Sequence, residues 1–341
     1  LPQAKRITLA TLSSPRAFRL ATRIGSQAQT PLVRGGYVRN RAIPILRAQT
    51  RWRSLPALAA RPLHARVGVG ASLAARPPVV PNGAAGKVVA VFPGCITDRV
   101  FPEQGQAIIE TLRGLGARVV FPEGLNCCGL PANNMGDANH AAKMAKQTIG
   151  ALELAHADHV VSGSASCVAM ITQDYLHLFR NDPAWLARAE RLAARVMDFT
   201  SFMTGVADLA DGSLAGGERT VVTYHDSCQG LNALGLRAEP RRLLVGVLGC
   251  ELRELEENTL CCGFGGTFSF DYPEVSSRLM NRKLDNAQAT GAPTVVTDNQ
   301  GCIMHLRGGA DNGGRPLKIR HIAELLAERL GKMEMAETRP H

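Results

Sequence analysis

Residues 88–95, VVAVFPGC, and residues 221–228, VVTYHDSC, repeat one pattern at a distance of 133 residues. Each is a short run of β-branched and apolar side chains that leads to a cysteine. Such a run, without polar alternation, suits a strand buried on both faces of a parallel sheet. The expected strands are 88–92 and 220–224. After the first comes a helix with Ile108, Leu112 and Leu115 on one face, ended by Gly114 and Gly116. A strand at 118–121, a helix at 137–155 and a strand at 159–162 follow, then helices over 168–204. Asp211, Gly212, Gly216 and Gly217 read as a linker. Beyond it the order returns: strand 220–224, helix around 243–248, strand 252–255, helix 273–290, strand 294–297 and a closing amphipathic helix at 322–330. Strands alternating with helices predict an α/β fold with mostly parallel sheets, in two duplicated Rossmann-like domains.

The cysteines state the duplication more sharply. Cys95, Cys127, Cys128 and Cys167 have counterparts in Cys228, Cys261, Cys262 and Cys302, at offsets of 133, 134, 134 and 135 residues. Both vicinal pairs are followed by glycine, Gly129 and Gly263. Eight of the nine cysteines obey the rule, and only Cys250 does not. An internal duplication of ~130 residues explains this economically. Each cysteine follows an expected strand, and in a parallel sheet the C-terminal strand ends share one edge. Four thiols distant in sequence are thereby expected to meet, once in each half.

Four converging thiolates suit an iron–sulfur cluster, whose irons are tetrahedral and take soft ligands. Zinc takes the same donors. Structural zinc usually sits on C-x₂-C knuckles, which this chain lacks, and two adjacent cysteines strain to bind one small ion. They can bind two irons of one cluster. Thiol or disulfide chemistry without metal is the remaining alternative, though vicinal disulfides are strained. Cys250 reads as a small core residue. Gly263, Gly265 and Gly266 resemble a phosphate loop only superficially, since no G-K-[ST] follows. Asp226 reads as a helix N-cap. His225 reads as a structural histidine, with a proton relay as the alternative.

The 341 residues suggest roughly two domains at ~150 residues each. No run of 18 apolar residues occurs, so no membrane-spanning helix is expected. The net charge of +10 misleads as an average. Residues 1–87 hold 15 Lys+Arg and no acid, whereas the rest holds 24 Lys+Arg against 29 acids. The basic charge belongs to the N-terminal arm, no nucleic-acid motif accompanies it, and nucleic-acid binding is not expected. The arm reads as a disordered basic tail or a transit peptide. Free of acids and cysteines, it is expected to be dispensable for folding. Pro78, Pro81, Asn82 and Gly83 mark its end.

The repeated Cys…Cys-Cys-Gly…Cys unit resembles the cysteine-rich CCG domain family, which also occurs in heterodisulfide reductase and in the glycolate oxidase iron–sulfur subunit. The carrying segments are FPGCITDRVFPEQG (92–105), CCGLPANNMGD (127–137), HDSC (225–228), CCGFGGTFSFDYPE (261–274), TDNQGCIMHL (297–306) and HIAELLAERL (321–330). CCGFGGTFS and GCIMH point to the family's lactate branch. The longest form of the motif ends in C-x₂-C, and here Met170 and His305 stand at the fifth-cysteine positions. That puts non-cubane clusters in doubt and leaves His305 open as a ligand. Arm residues 12–62, with Trp52, Arg53 and SLPALAARP, are weakly similar to the tail of lactate utilisation protein B.

The resemblance implies three segments: a basic arm at 1–86, and CCG domains at 87–210 and 218–332. It implies [4Fe–4S]-type clusters, about one per domain, on Cys95, Cys127, Cys128 and Cys167, and on Cys228, Cys261, Cys262 and Cys302. It implies an iron–sulfur electron-transfer subunit of a complex oxidising L-lactate to pyruvate. The alternatives are a heterodisulfide reductase-like subunit, a glycolate oxidase-type subunit and a zinc-stabilised interaction module. The expected partners are lactate utilisation proteins B and C, and the expected location is the cytoplasm or, through partners, a membrane surface. No catalytic residue is assigned, and activity by the chain alone is not expected.

Overall fold

The computed structural model describes residues 2–38, 50–80, 83–216 and 219–337. Pro81, Asn82 and Gly217, expected at a boundary and a linker, lie outside the described residues.

The expectation of a disordered arm is corrected wherever the arm is described. Two helices open the chain, Gln3–Leu12 and Pro15–Ala28. Ser14 caps the second by accepting from the Ala17 amide, and Pro15 takes the first helical position. Strands β1 (Val33–Arg34), β2 (Tyr37–Val38) and β3 (Leu55–Pro56) form an antiparallel ribbon. Strand β4 (Ser72–Leu73) then pairs antiparallel with β6 (Arg118–Val120) and becomes the edge of the first large sheet. The arm is therefore not separable at residue 86. Leu9 and Leu63 are fully buried, Leu63 among Ile108, Ile109 and Leu112. Gly105 makes room for it: a Cβ there would come within 2.2 Å of a Leu63 methyl. Sequence patterning could not show this, because isolated leucines in an Arg- and Pro-rich stretch have no period.

The first sheet continues with β5 (Val88–Val91), β7 (His159–Ser162) and β8 (Val196–Asp198), in the order β4-β6-β5-β7-β8, parallel except for β4. The second holds β9 (Val221–Tyr224), β10 (Glu251–Leu252), β11 (Thr294–Thr297) and β12 (Lys318–His321), all parallel, in the order β10-β9-β11-β12. The four parallel strands of each half thus have one order, second-first-third-fourth. The duplication inferred from cysteine spacing is also a duplication of topology.

The fourth strands escaped the sequence reading for a common reason. Both lie at a sheet edge, and each carries charge that breaks an apolar run. Val196–Asp198 is three residues long and follows Arg195, inside what reads as continuous helix. Lys318–His321 alternates charged and buried side chains. The strand expected at 252–255 is shifted and shorter, because Arg253 and Glu254 turn into ion pairs with Glu251 and Arg241. The segment expected as a helix at 243–248 holds a π-helical turn, Arg242–Val247.

One apolar core crosses both halves, joining Val89, Val91, Leu112 and Val161 to Val222, Tyr224, Leu244 and Ile322. The closing helix Ile322–Glu337 packs on Pro102–Gly114 of the first half. A polar seam faces the same junction. Asn299 Oδ1 accepts from Ser164 Oγ (3.1 Å) and Ser166 Oγ (3.0 Å). His321 Nδ1 accepts from the Ala323 amide, so Nε2 carries the hydrogen and donates to Gly163 O at 2.7 Å. Residues just beyond β7 thereby meet residues just beyond β11, at the edge where the cysteines lie. No described helix is long and apolar enough to cross a membrane.

Candidate metal centres

Each half presents its cysteines from the loops after three parallel strands. Cys95 lies in the helix Gly94–Arg99 after β5, and Cys228 opens the helix Cys228–Asn232 after β9. The vicinal pairs sit in irregular loops after β6 and β10. Cys167 and Cys302 each occupy the third position of a helix, Ala165–Ala169 and Gln300–Asn312.

In each half the structure places the expected thiols one beside the next. In the first, each thiol neighbours the next, in the series Cys95, Cys127, Cys128, Cys167. A Cβ on Gly94 would lie 3.1 Å from Cys167 Sγ, which places that thiol beside the Cys95 turn. In the second, the series is Cys228, Cys261, Cys262, Cys302, with Cys262 Sγ to Cys302 Sγ at 3.2 Å. The Gly263 amide donates to Cys261 Sγ at 3.3 Å, and Asn299 Nδ2 donates to Cys302 Sγ at 3.5 Å. Such bonds orient a thiolate and tune whatever it binds.

Packing thiols against one another splits their acidity. Cys95 and Cys228 are pushed up, first by donating to a neighbouring sulfur and then by burial. Cys261 and Cys302 are pulled down, chiefly because they accept from Cys228 and Cys262 respectively. Four such sulfurs cannot all ionise at close range without a compensating cation. The donor set fits a soft, multiply charged metal centre.

The glycine after each vicinal pair is required by the backbone. Gly263 has φ +88°, and a Cβ there would stand 2.5 Å from Ser276 O. Gly129 has φ +97°, but its nearest atom would be 3.3 Å away. Gly263→Ala is therefore expected to cost more than Gly129→Ala, on the order of 1–3 kcal/mol of strain plus the displacement of Cys261 and Cys262. Thermal unfolding of the two variants checks the ranking, and equal melting temperatures would contradict it.

A model of the cysteine-rich domain CCG matches residues 89–172 and again 222–307. The chain is 40% identical over 240 residues to "Lactate utilization protein A" of Exiguobacterium sp., covering 70% of this chain and 97% of the relative. It is 38% identical to the protein of that name from Geobacillus kaustophilus, covering 71% and 99%. The chain belongs to the lactate utilization protein A family. Among solved structures, a glutamate racemase from Francisella tularensis is similar at 11% identity, covering 74% of this chain and 81% of the racemase, with a TM-score of 0.32. A likeness that weak carries no argument.

The positions where this member of the lactate utilization protein A family departs from the five-cysteine motif have different environments. Met170 is fully buried beside Cys128 and Cys167. His305 is engaged at both ring nitrogens. Nδ1 faces Arg53 Nη1 at 2.6 Å, and Nε2 faces Ser276 Oγ at 3.2 Å. Ser276 Oγ already donates to Gly263 O, so Nε2 carries the hydrogen and Nδ1 accepts from Arg53. Burial pulls the His305 pKa down to about 3, with the Arg53 charge adding to it. The imidazole is a neutral prop behind the Gly263 turn.

Cys250 stands apart, in the core with Leu243, Leu244 and Val247. Asp226 does not cap the helix after β9. Ser227 does so by accepting from the Gly230 amide, while Asp226 pairs with Arg241 at 3.0 Å.

The arm covers both quartets. Leu9 packs with Cys127, Ala132 and Met144, and Leu12 and Cys95 flank the same cluster. Over the second quartet, Ser54 donates its amide to Gly308 O at 2.9 Å and its hydroxyl to Asp311, and this anchors Arg53 on His305. Sequence reasoning gave the arm no part in the sites.

Proposed function

We propose that each quartet holds an iron–sulfur cluster and that the chain is an electron-transfer subunit of a complex oxidising L-lactate to pyruvate. What supports the cluster reading is the succession of four neighbouring thiols in each half, with both members of each vicinal pair included. A single zinc ion takes four donors at one centre, whereas adjacent cysteines naturally address neighbouring irons of one cluster. Lactate enters through the names of the relatives, and the reading extends those names to this chain.

A bound cluster supplies one-electron transfer. The chain's own residues hold it and keep water away. Cys127, Cys128, Cys262 and Cys302 are buried, and Leu9 and Leu12 close the first site. Backbone and side-chain N–H groups aimed at Cys261 and Cys302 stabilise negative charge on sulfur, which raises a cluster's potential. Lactate releases two electrons, and two one-electron sites in one subunit suit that stoichiometry. The proposed partners, lactate utilisation proteins B and C, would supply lactate chemistry and an onward path.

Protein prepared without oxygen is expected to be brown and to contain iron and acid-labile sulfide in similar amounts. Lactate-dependent dye reduction is expected only when both partners are added. Stoichiometric zinc without sulfide would defeat the cluster reading. Full activity from this chain alone would defeat the subunit reading.

A further inference from the structure

His225 is the last side chain before the turn that delivers Cys228, and it is fully buried. Among the described residues neither of its ring nitrogens meets an oxygen or nitrogen partner, and the ring's polar contact is with the Cys302 sulfur. A buried imidazole that faces only sulfur forgoes most of the interactions it had with water, so native structures rarely leave one so without a reason. The surroundings supply one: a ring nitrogen of His225, Cys262 Sγ and Cys302 Sγ all lie within 4.8 Å of one another. All three residues are buried, whereas Cys228 and Cys261 are only partly so. The imidazole therefore stands at the inner end of the second quartet. Asp298 is buried nearby, with Oδ2 likewise unpartnered, and it feels the His225 ring electrostatically. A carboxylate close to a histidine is the usual companion of a metal-bound imidazole, since it takes the other ring N–H.

Among the described residues the first half has nothing comparable. At the offset of 133 residues His225 corresponds to Phe92, which is buried among Ala90, Cys128 and Cys167. The two quartets therefore differ in their fifth neighbour, a hydrocarbon ring in one and a nitrogen base in the other.

We infer that His225 is a nitrogen ligand of the second metal centre, which makes that centre a mixed sulfur–nitrogen site while the first remains all-sulfur. A cluster of four irons has four outer ligand positions, so His225 stands there in place of one of the four thiolates, and nitrogen in place of thiolate raises a cluster's reduction potential. The second centre is then the more readily reduced of the pair, and electrons collect there.

The inference rests on the cluster reading, and the experiment separates the two. Protein labelled with ¹⁵N at histidine only is prepared without oxygen, reduced, and studied by pulsed electron paramagnetic resonance. Iron and sulfide are assayed on the same sample. Expected are iron and sulfide for two centres, with strong histidine-nitrogen coupling on one. His225→Phe, which imports the first-half residue, should abolish the coupling and leave the other centre's signal unchanged. Iron and sulfide present with no histidine coupling in the wild-type chain would overturn the inference and leave the cluster reading intact. Coupling that survives in His225→Phe would overturn it too, by assigning the nitrogen to another histidine. Absence of sulfide would overturn both. Where His225→Phe fails to fold, His225→Asn takes its place in the same measurement, with the same two outcomes.

Discussion

Deletion of residues 1–86 is expected to leave a chain that unfolds at much lower temperature and exposes both cysteine quartets. Leu9 and Leu63 lose their burial, and each such loss in a packed site costs ~2–5 kcal/mol by analogy with Leu→Ala replacements. Two losses of that size approach the whole stability of an ordinary domain, about 5–15 kcal/mol. The deletion also strips β4 from β6 and leaves the edge of the first sheet unpaired. Over the second quartet it removes Arg53 from His305 and Ser54 from Gly308. Melting followed by circular dichroism reads the first effect, and the rate at which a thiol reagent modifies the apoprotein reads the second. Leu63→Ala in the full chain is the control. It should lower the melting temperature without speeding modification at low temperature, because Leu63 packs on the Pro102–Gly114 helix and not on a cysteine. A truncated chain that melts within a few degrees of the full one, with thiols equally protected, would show the arm to be an ornament.

The division between what could and could not be read from the sequence has a physical basis. Buried parallel strands announce themselves, because both faces must be apolar. Val88–Val91, Val221–Tyr224 and Thr294–Thr297 were therefore plain. The cysteine offsets showed the duplication without any structural knowledge, and the expected thiols neighbour one another in series. Edge strands such as Val196–Asp198 and Lys318–His321 carry no such signal. The docking of the arm was invisible for another reason. It depends on single residues, Leu9, Arg53 and Leu63, meeting surfaces formed by distant segments. His225 is an intermediate case. Aligning the two halves sets it opposite Phe92, and a polar residue replacing a core aromatic at the lip of a metal site is a signal. That its ring faces sulfur becomes visible only in three dimensions.

Replacing the inner cysteine of either vicinal pair should empty one centre and spare the other. Cys128 joins Cys127 to Cys167, and Cys262 joins Cys261 to Cys302, so each is an inner link of its series. Alanine at either position removes one thiolate and breaks the contact between the remaining three. Iron content should fall by about half in each single variant, and almost completely in the double variant, because a cluster short of one thiolate is generally lost. Stability should fall with it, since a metal bound only by the folded state contributes its binding energy to folding. Cys250→Ala supplies the contrast. That side chain lies in the core with Leu243, Leu244 and Val247, and its loss should cost about 1 kcal/mol with iron unchanged. The spacing rule that excludes Cys250 and the packing that buries it away from both quartets are independent observations. They make the same forecast, and iron assays on the four variants test both together. Loss of iron in Cys250→Ala, or full iron in Cys128→Ala, would mean that the quartets are not the ligand sets and that the repeat marks something other than metal.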